Sequence, residues 1–294
     1  MKLRIFAAMF LVLGLPVGTQ CAFAQSGMDA EHKYGVCGGL DESCYSGWVD
    51  RTSGEEAPWK ILIYYHVGDG VRPHANREFG VAALTRALED RGYTVDSSED
   101  PAAMQSGFAL RSYDAIVFFN TGRDALDSLG QMALRIYIEG GGGFVGMHNA
   151  FGTNFNWSWY EGLLGGAQLY DHPAFQAARI IVNSKNDVST SHLTGDISWS
   201  DEFYNLRPNP LDGNDVRLLL SVDESTMAKG TKGYYGHPGF GDKPHPVSWC
   251  HYYDGGRAWL TTLGHSEELF EDAAFMQHIV GGIESAMGAK PFCQ

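Results

Sequence analysis

The stretch Gly140-Gly-Gly-Gly-Phe-Val-Gly-Met-His148-Asn-Ala150 constrains this chain more than any other. A helical pattern from Leu126 to Glu139 runs into four glycines that end it, and a short apolar strand follows and stops at a histidine. Ligands gather at the carboxyl ends of strands in open α/β sheets, which puts His148 where chemistry usually happens. Gly146 and Ala150 are small enough to permit a tight strand-to-turn bend that holds the apex side chain in the open, the geometry of a nucleophile elbow. The apex residue here is an imidazole, which serves as a base or a ligand rather than as a strong nucleophile.

The neighbouring sequence repeats the same alternation. Trp59-Lys-Ile-Leu-Ile-Tyr-Tyr65 is a short apolar run typical of a parallel strand buried on both faces. A polar loop, His66 to Asn76, follows, and Phe79, Ala82, Ala83, Leu84, Ala87 and Leu88 then recur at helical spacing up to Gly92. Tyr93-Thr-Val95 and Tyr113-Asp-Ala-Ile-Val-Phe-Phe119 are the second and third strands, the latter ending in Asn120-Thr121-Gly122. This β-α-β-α-β order predicts one α/β domain over residues 58–288, built on a doubly wound, mostly parallel sheet flanked by helices. Beyond residue 150 the pattern changes. Strand-like runs occur at 178–182, 218–221, 246–253 and 258–263, residues 223–245 read as a long functional loop, and a final helix spans about 272–287.

The ends of the chain speak to location. Lys2 and Arg4, an apolar stretch from Ile5 to Pro16, and Ala22-Phe23-Ala24 have the form of a secretory signal peptide, residues 1–24, cleaved near Ala24. The mature protein is expected in the periplasm or outside the cell. Removing the two leader cations leaves 19 Lys and Arg against 35 Asp and Glu, a formal charge of −16. Nucleic acid and anionic membranes need a basic surface, so neither is expected as a partner. Cys37, Cys44, Cys250 and Cys293 survive cleavage, and an oxidising compartment favours disulfides; Cys37–Cys44 with Cys250–Cys293 is the expected choice among three connectivities. Residues 25–57 read as an irregular extension stapled by the first disulfide, and 289–294 as a C-terminal tail.

Histidines sit in loops instead of scattering over helix faces. His66 and His74 follow the first strand, His148 the fourth, and His265 the last; His172 and His245 each precede proline, which restrains their backbones to extended values. Loops after parallel strands converge on one edge of a doubly wound sheet, so several of these imidazoles could meet over one cleft. His66, His192 and His237 read more simply as surface or structural residues. Imidazole suits general acid–base work near neutral pH and also ligates divalent metals, although no H-x-x-x-H or H-E-x-x-H spacing appears. A divalent metal is therefore the one cofactor the pattern admits, resting on convergence alone. Asp201-Glu202 is a second candidate, since adjacent residues of an extended segment point opposite ways and one carboxyl could face the cleft. Aromatic density is the third. Phe155, Trp157, Trp159, Tyr160, Tyr204, Trp249, Tyr252 and Trp259 offer flat amphipathic rings that complement sugars, with Trp157 and Trp159 the better candidates for a site.

The chain resembles the ThuA-like (trehalose-utilisation) family in Arg72-Pro-His74, 113–119, Gly141-Gly-Gly-Phe-Val-Gly-Met-His148, Trp157-Ser-Trp-Tyr160, His172-Pro173, Asp201-Glu-Phe-Tyr204, His245-Pro-Val-Ser-Trp249 and Leu263-Gly-His265. These eight stretches run in order over most of the mature chain. The resemblance implies a fold like that of class I glutamine amidotransferases. Those enzymes carry cysteine at the elbow where this chain has His148, so cysteine-dependent amide hydrolysis is not expected; Asn149 stands where many family members carry a small residue.

What the resemblance implies about activity is use of trehalose-like disaccharides and of oxidised, 3-keto sugars. The expected protein is a carbohydrate-processing enzyme acting on a glycoside or 3-keto-glycoside. His148 or His265 would be the base, Glu202 the partner acid with Asp201 beside it, and His172 or His245 the enolate stabiliser, directly or through a metal. Arg72, His74, Asn149, Trp157, Trp159, Tyr160, Tyr204 and Trp249 would hold the sugar. The expected partners are a small carbohydrate and a sugar-oxidising dehydrogenase of the same pathway. The alternatives are a non-catalytic carbohydrate-binding accessory protein and a metal-dependent hydrolase of unrelated substrates.

Overall fold

Short apolar runs flanked by polar turns become strands covered on both faces. The computed structural model describes residues 34–47, 58–70, 72–213 and 215–294. The expected signal peptide and the rest of the 25–57 extension lie outside these residues. Within the extension, β1 (Gly38–Gly39) lies inside the loop closed by the Cys37–Cys44 disulfide. Then come β2 (Lys60–Tyr64), α1 (Arg77–Glu89), β3 (Thr94–Ser98), α2 (Gly107–Leu110), β4 (Ala115–Phe119), α3 (Ser128–Glu139) and β5 (Gly143–Met147). Asp127 accepts from the Gly130 amide at 2.8 Å, so α3 starts after that cap and not at Leu126 as its apolar pattern suggested.

The second half holds α4 (Ser158–Leu163), β6 (Leu169–Asp171), β7 (Gln176–Val182), β8 (Ile197–Asp201), β9 (Asn205–Leu206), β10 (Arg217–Val222), β11 (His245–Tyr253), β12 (Gly256–Thr261), α5 (Glu267–Glu271) and α6 (Ala273–Ala286). The main sheet runs β3-β2-β4-β5-β12-β11-β10-β7-β8. Its first five strands are parallel, the doubly wound core expected from the sequence, and β11, β10, β7 and β8 extend it with antiparallel pairings. β1 adds to the far end of β11, Gly38 opposite Tyr253, so the extension is not wholly irregular as expected. No helix among the described residues is long and apolar enough to cross a membrane.

Alternation along the strands divides the core. Ile61, Ile63, Val117, Phe119, Val145 and Met147 pack against Leu84 and Leu88 of α1 and Phe275, Ile279 and Ile283 of α6. Leu62, Ile116, Phe118 and Phe144 face Leu134 and Ile138 of α3 and Leu163 of α4. Each such side chain, fully buried, stabilises the fold by about 1.5–3 kcal/mol. The C-terminal tail is tied to β11 by the Cys250–Cys293 disulfide. Both disulfides are those expected from the sequence.

Candidate active site

β5 delivers its last residue into a strained bend. His148 has φ of +48°, in the left-handed region that a side-chain-bearing residue enters at a cost, the signature of an elbow. A Cβ on Gly146 would lie 2.9 Å from Cδ2 of its cross-strand partner Leu260, so a side chain there would have to displace the tip of that leucine. The His148 side chain is fully buried. Its Nδ1 donates to the Thr262 carbonyl at 2.8 Å, which leaves Nε2 with the lone pair, and that lone pair accepts from the Tyr204 hydroxyl at 2.9 Å. Burial, reinforced by His265, holds the ring far below its ordinary pKa, at about 3, so it is neutral.

β12 ends beside β5 and leads through Gly264 to His265. The φ of Gly264 is +132°, and a Cβ there would lie 3.4 Å from that of His148. Asp201, at the end of β8, builds this turn. One carboxylate oxygen accepts from the amides of Gly264 (2.8 Å) and His265 (3.3 Å), and the other from Glu202 (2.7 Å). Burial pushes the Asp201 carboxyl up to about 6 against the pull of those amides. The next residue, Glu202, turns the other way, as adjacent residues of an extended segment do. Its Oε2 lies 3.1 Å from His265 Nδ1, 3.7 Å from His172 Nε2 and 4.0 Å from His148 Nε2. Burial raises the Glu202 carboxyl, but the hydrogen bond from His265 and the surrounding imidazoles outweigh it and hold the group down at about 2. Burial likewise opposes charge on His265, and the Glu202 bond overrides it and raises that imidazole. Glu202, expected as the partner acid, is thus an ionised carboxylate paired with His265 and fits a base, an orienting group or a ligand.

His74 comes from the loop after β2. Its ring centroid lies 4.9 Å from that of His148 and 5.4 Å from that of His265, both edge-on. Burial, then those two neighbours, lower its pKa to about 3. One ligand-capable atom from each of His74, His148, Glu202 and His265 lies within 4.8 Å of the others, so these four could hold a metal ion. Beside them runs a cleft of about 320 Å³ lined by Ala75, Asn76, Phe175, His265, Ser266 and Glu267.

The structure therefore brings together His74, His148, His172, Asp201, Glu202, Tyr204 and His265. Other expected site residues go elsewhere. His245 is buried with Nδ1 at 2.8 Å from Glu224 and Nε2 at 3.0 Å from the Tyr204 carbonyl, so it braces the Tyr204 backbone instead of facing the cleft. Trp249 is fully buried and donates to the Leu164 carbonyl; the Tyr160 hydroxyl donates to that of Ala150; Trp159 donates to Asp254 and stacks on Trp157. Trp159, Tyr160 and Trp249 are core and not a sugar platform, the first two carried on α4 itself, while Trp157 is half-buried against that cluster. Asn149 donates to the Thr121 carbonyl at 2.7 Å and lines a neighbouring pocket with Arg123, Phe155 and Tyr170. Arg72 is exposed in the loop before α1.

Four residues that the sequence did not single out belong here. Tyr234 stands edge-on to His172 at 5.1 Å and Phe175 lies 5.4 Å from His265, both with exposed rings. Tyr234 falls in the long loop already read as functional, and Phe175 follows His172-Pro173. Asn120 donates to Asn76, which donates to the Gly264 carbonyl, joining the loops after β4, β2 and β12 behind the cluster. Asn120 has φ of +49° after an apolar strand, the same signal that marked His148.

The ThuA family, described as trehalose utilisation, matches residues 60–286. A ThuA-like protein from Bacteroides uniformis superposes with a TM-score of 0.65 at 22% identity, covering 81% of this chain and 95% of that one. One from Parabacteroides merdae gives 0.62 at 19% identity, covering 80% and 91%. A β-galactosidase from Bacillus circulans gives 0.50 at 13% identity over 79% of this chain and 32% of its own. At these identities the likeness is one of fold. No curated protein matches the sequence.

Proposed function

Since the chain belongs to the ThuA, trehalose-utilisation family, we propose that it is an exported carbohydrate-processing enzyme that opens the glycosidic bond of a 3-keto-glycoside by elimination. The observation that carries this reading is the meeting of four imidazoles and one carboxylate, His74, His148, His172, His265 and Glu202, beside the cleft that His265 and Phe175 line, with the exposed ring of Tyr234 against His172. Binding a sugar needs the rings; it does not need five titratable groups.

The carboxylates argue against ordinary glycoside hydrolysis. That chemistry uses two carboxyl groups flanking the scissile bond. Here Asp201 is buried and engaged by three backbone amides, which leaves Glu202 as the one carboxylate on the cluster. A single base suffices once the sugar carries a ketone at C3, because the carbonyl acidifies the C2 hydrogen. His172 fits that base. Its Nδ1 donates to the Pro173 carbonyl at 2.9 Å, so the neutral ring has its lone pair on Nε2, and Glu202 at 3.7 Å steadies the charge gained on protonation.

The electrons balance without a co-reactant. Nε2 of His172 takes the C2 proton, the C2–H pair becomes the C1=C2 bond, and the C1–O bond breaks with its electrons leaving on oxygen. The same imidazole returns the proton to that oxygen. The products are an unsaturated keto sugar and a free sugar. Negative charge builds on the C3 oxygen in passing, which the His74, His148 and His265 side of the cleft would face. The substrate must come from a reaction that oxidises C3, consistent with a sugar-oxidising dehydrogenase upstream. The two disulfides support an oxidising compartment.

The test is product analysis on 3-keto-trehalose and on trehalose. Turnover of the keto sugar alone, lowered ~10²–10⁴-fold in His172→Ala, is the expected result. Full activity in both His172→Ala and Glu202→Gln sinks the assignment, and tight sugar binding without any product makes the protein a carbohydrate-binding accessory.

A further inference from the structure

We propose that His74, His148, Glu202 and His265 form a binding site for one divalent transition-metal ion. The inference deepens the elimination reading and rests on it for the ion's role, while the binding itself stands on geometry. Bonds of about 2.1 Å place neighbouring ligand atoms about 3.0 Å apart at octahedral angles and about 3.4 Å apart at tetrahedral ones. The separations here are 3.1 Å for Glu202 Oε2 to His265 Nδ1, 3.4 Å for His265 Nδ1 to His148 Nε2, and 4.0 Å for His148 Nε2 to Glu202 Oε2. His74 completes the set within 4.8 Å.

The protein contains its own contrast. His245, a structural histidine, commits both ring nitrogens to oxygen atoms, of Glu224 and of the Tyr204 backbone. His148 commits Nδ1 to a main-chain carbonyl and turns Nε2 inward, the outer-partner arrangement that fixes the tautomer and orientation of metal-bound histidines. Its present inward partner, the Tyr204 hydroxyl, is exchanged for a coordination bond when the ion binds.

Donor type narrows the ion. Three imidazoles and one carboxylate suit first-row transition ions and not the all-oxygen preference of Ca²⁺ and Mg²⁺. Four protein ligands saturate a tetrahedral ion but leave two positions on a six-coordinate one, which favours Mn²⁺, Fe²⁺, Co²⁺ or Ni²⁺ over Zn²⁺. Were those two positions side by side, they would take the neighbouring C2 and C3 oxygens of a 3-keto sugar and hold the charge that develops on C3, with His172, outside the four, left to carry the proton.

The experiment uses the full chain without a histidine tag, stripped by chelator and titrated with Mn²⁺ and Co²⁺ by calorimetry, with metal content measured before stripping. One ion per chain is expected. His74→Ala, Glu202→Gln and His265→Ala should each weaken it at least ~100-fold, because even an outer partner of a ligand is worth ~10–100-fold. His74→Gln, which keeps the bulk of the side chain, should do the same where an alanine variant fails to fold, and His66→Gln should change nothing. No stoichiometric binding, or equal affinity in the ligand variants, overturns the site. Undiminished turnover of a keto-glycoside by stripped protein overturns the ion's role; one tightly bound ion with no turnover leaves the site standing and overturns the elimination reading instead.

Discussion

The Tyr204 hydroxyl donates to Nε2 of His148 across 2.9 Å, although the two residues stand 56 positions apart and rise from opposite halves of the sheet. The bond closes the one inward lone pair of a ring whose other nitrogen is already spent on Thr262. Removing the hydroxyl leaves that buried acceptor only the longer 3.4 Å contact with His265 Nδ1, a nitrogen already bonded to Glu202. In chelator-treated protein Tyr204→Phe should cost about 1–3 kcal/mol, read as a lowered denaturant midpoint. Saturating Mn²⁺ should abolish most of that difference, and an unchanged penalty would show that the ion does not take Nε2.

Gly264 holds His265 against His148 with φ of +132° and only 3.4 Å between a built Cβ and that of His148. Gly264→Ala should cost about 1–3 kcal/mol through backbone strain. It should also displace His265, so metal affinity and turnover should fall further than stability does. A variant that loses stability alone would make this turn a scaffold with no bearing on the site.

Acid should unfold the protein in a defined window. His278 on α6 is fully buried between Trp259 and Trp199 and donates to the Ser189 carbonyl, and burial lowers its pKa to about 3 from 6.5. The folded-state value is depressed, so between about pH 6.5 and 3 the unfolded chain binds a proton that the fold refuses. Stability is fully present above 6.5 and declines as pH falls through that range. His278→Leu should flatten the stability–pH slope there by up to ~1.4 kcal/mol per pH unit, the value of one proton. Equal slopes in the two proteins would assign the acid sensitivity to other groups.

The two disulfides should contribute unequally. Cys250–Cys293 spans a sequence separation of 43 and Cys37–Cys44 one of 7. Loop-closure entropy then gives about 4 kcal/mol for the former and about 2.5 kcal/mol for the latter. Denaturant midpoints of Cys293→Ser and Cys44→Ser should fall in that order, and the reverse order would mean that folded-state contacts outweigh the chain-entropy difference.

Much of this was legible in the sequence, and the reasons differ by residue. The parallel strands announced themselves because burial on both faces demands unbroken apolar runs, and His148 and His265 stood out because each directly follows one. Edge strand β8 did not, because Ile197-Ser-Trp-Ser-Asp201 carries only two apolar residues, as a strand covered on one face needs. Trp159, Tyr160 and Trp249 misled because an aromatic ring reads the same in a core and at a sugar site, and only neighbours distinguish them. His245 misled for a related reason: proline on either side marks an ordered loop, while what the ring nitrogens meet is a matter of tertiary contact. Phe175 and Tyr234 were hidden because their contribution comes from exposure, which no local pattern encodes.

Glu202 is delivered by the outermost strand of the antiparallel half, whereas His74, His148 and His265 come from loops of the parallel half. β8 pairs with its neighbour in sequence, β7, whereas β12, which leads into His265, pairs in parallel with the distant β5. Long-range parallel pairings are the slow ones to form. Until β12 docks beside β5 the reaction centre is chemically mute, and recovery of turnover after denaturation becomes a clock for that one pairing rather than for the return of helices.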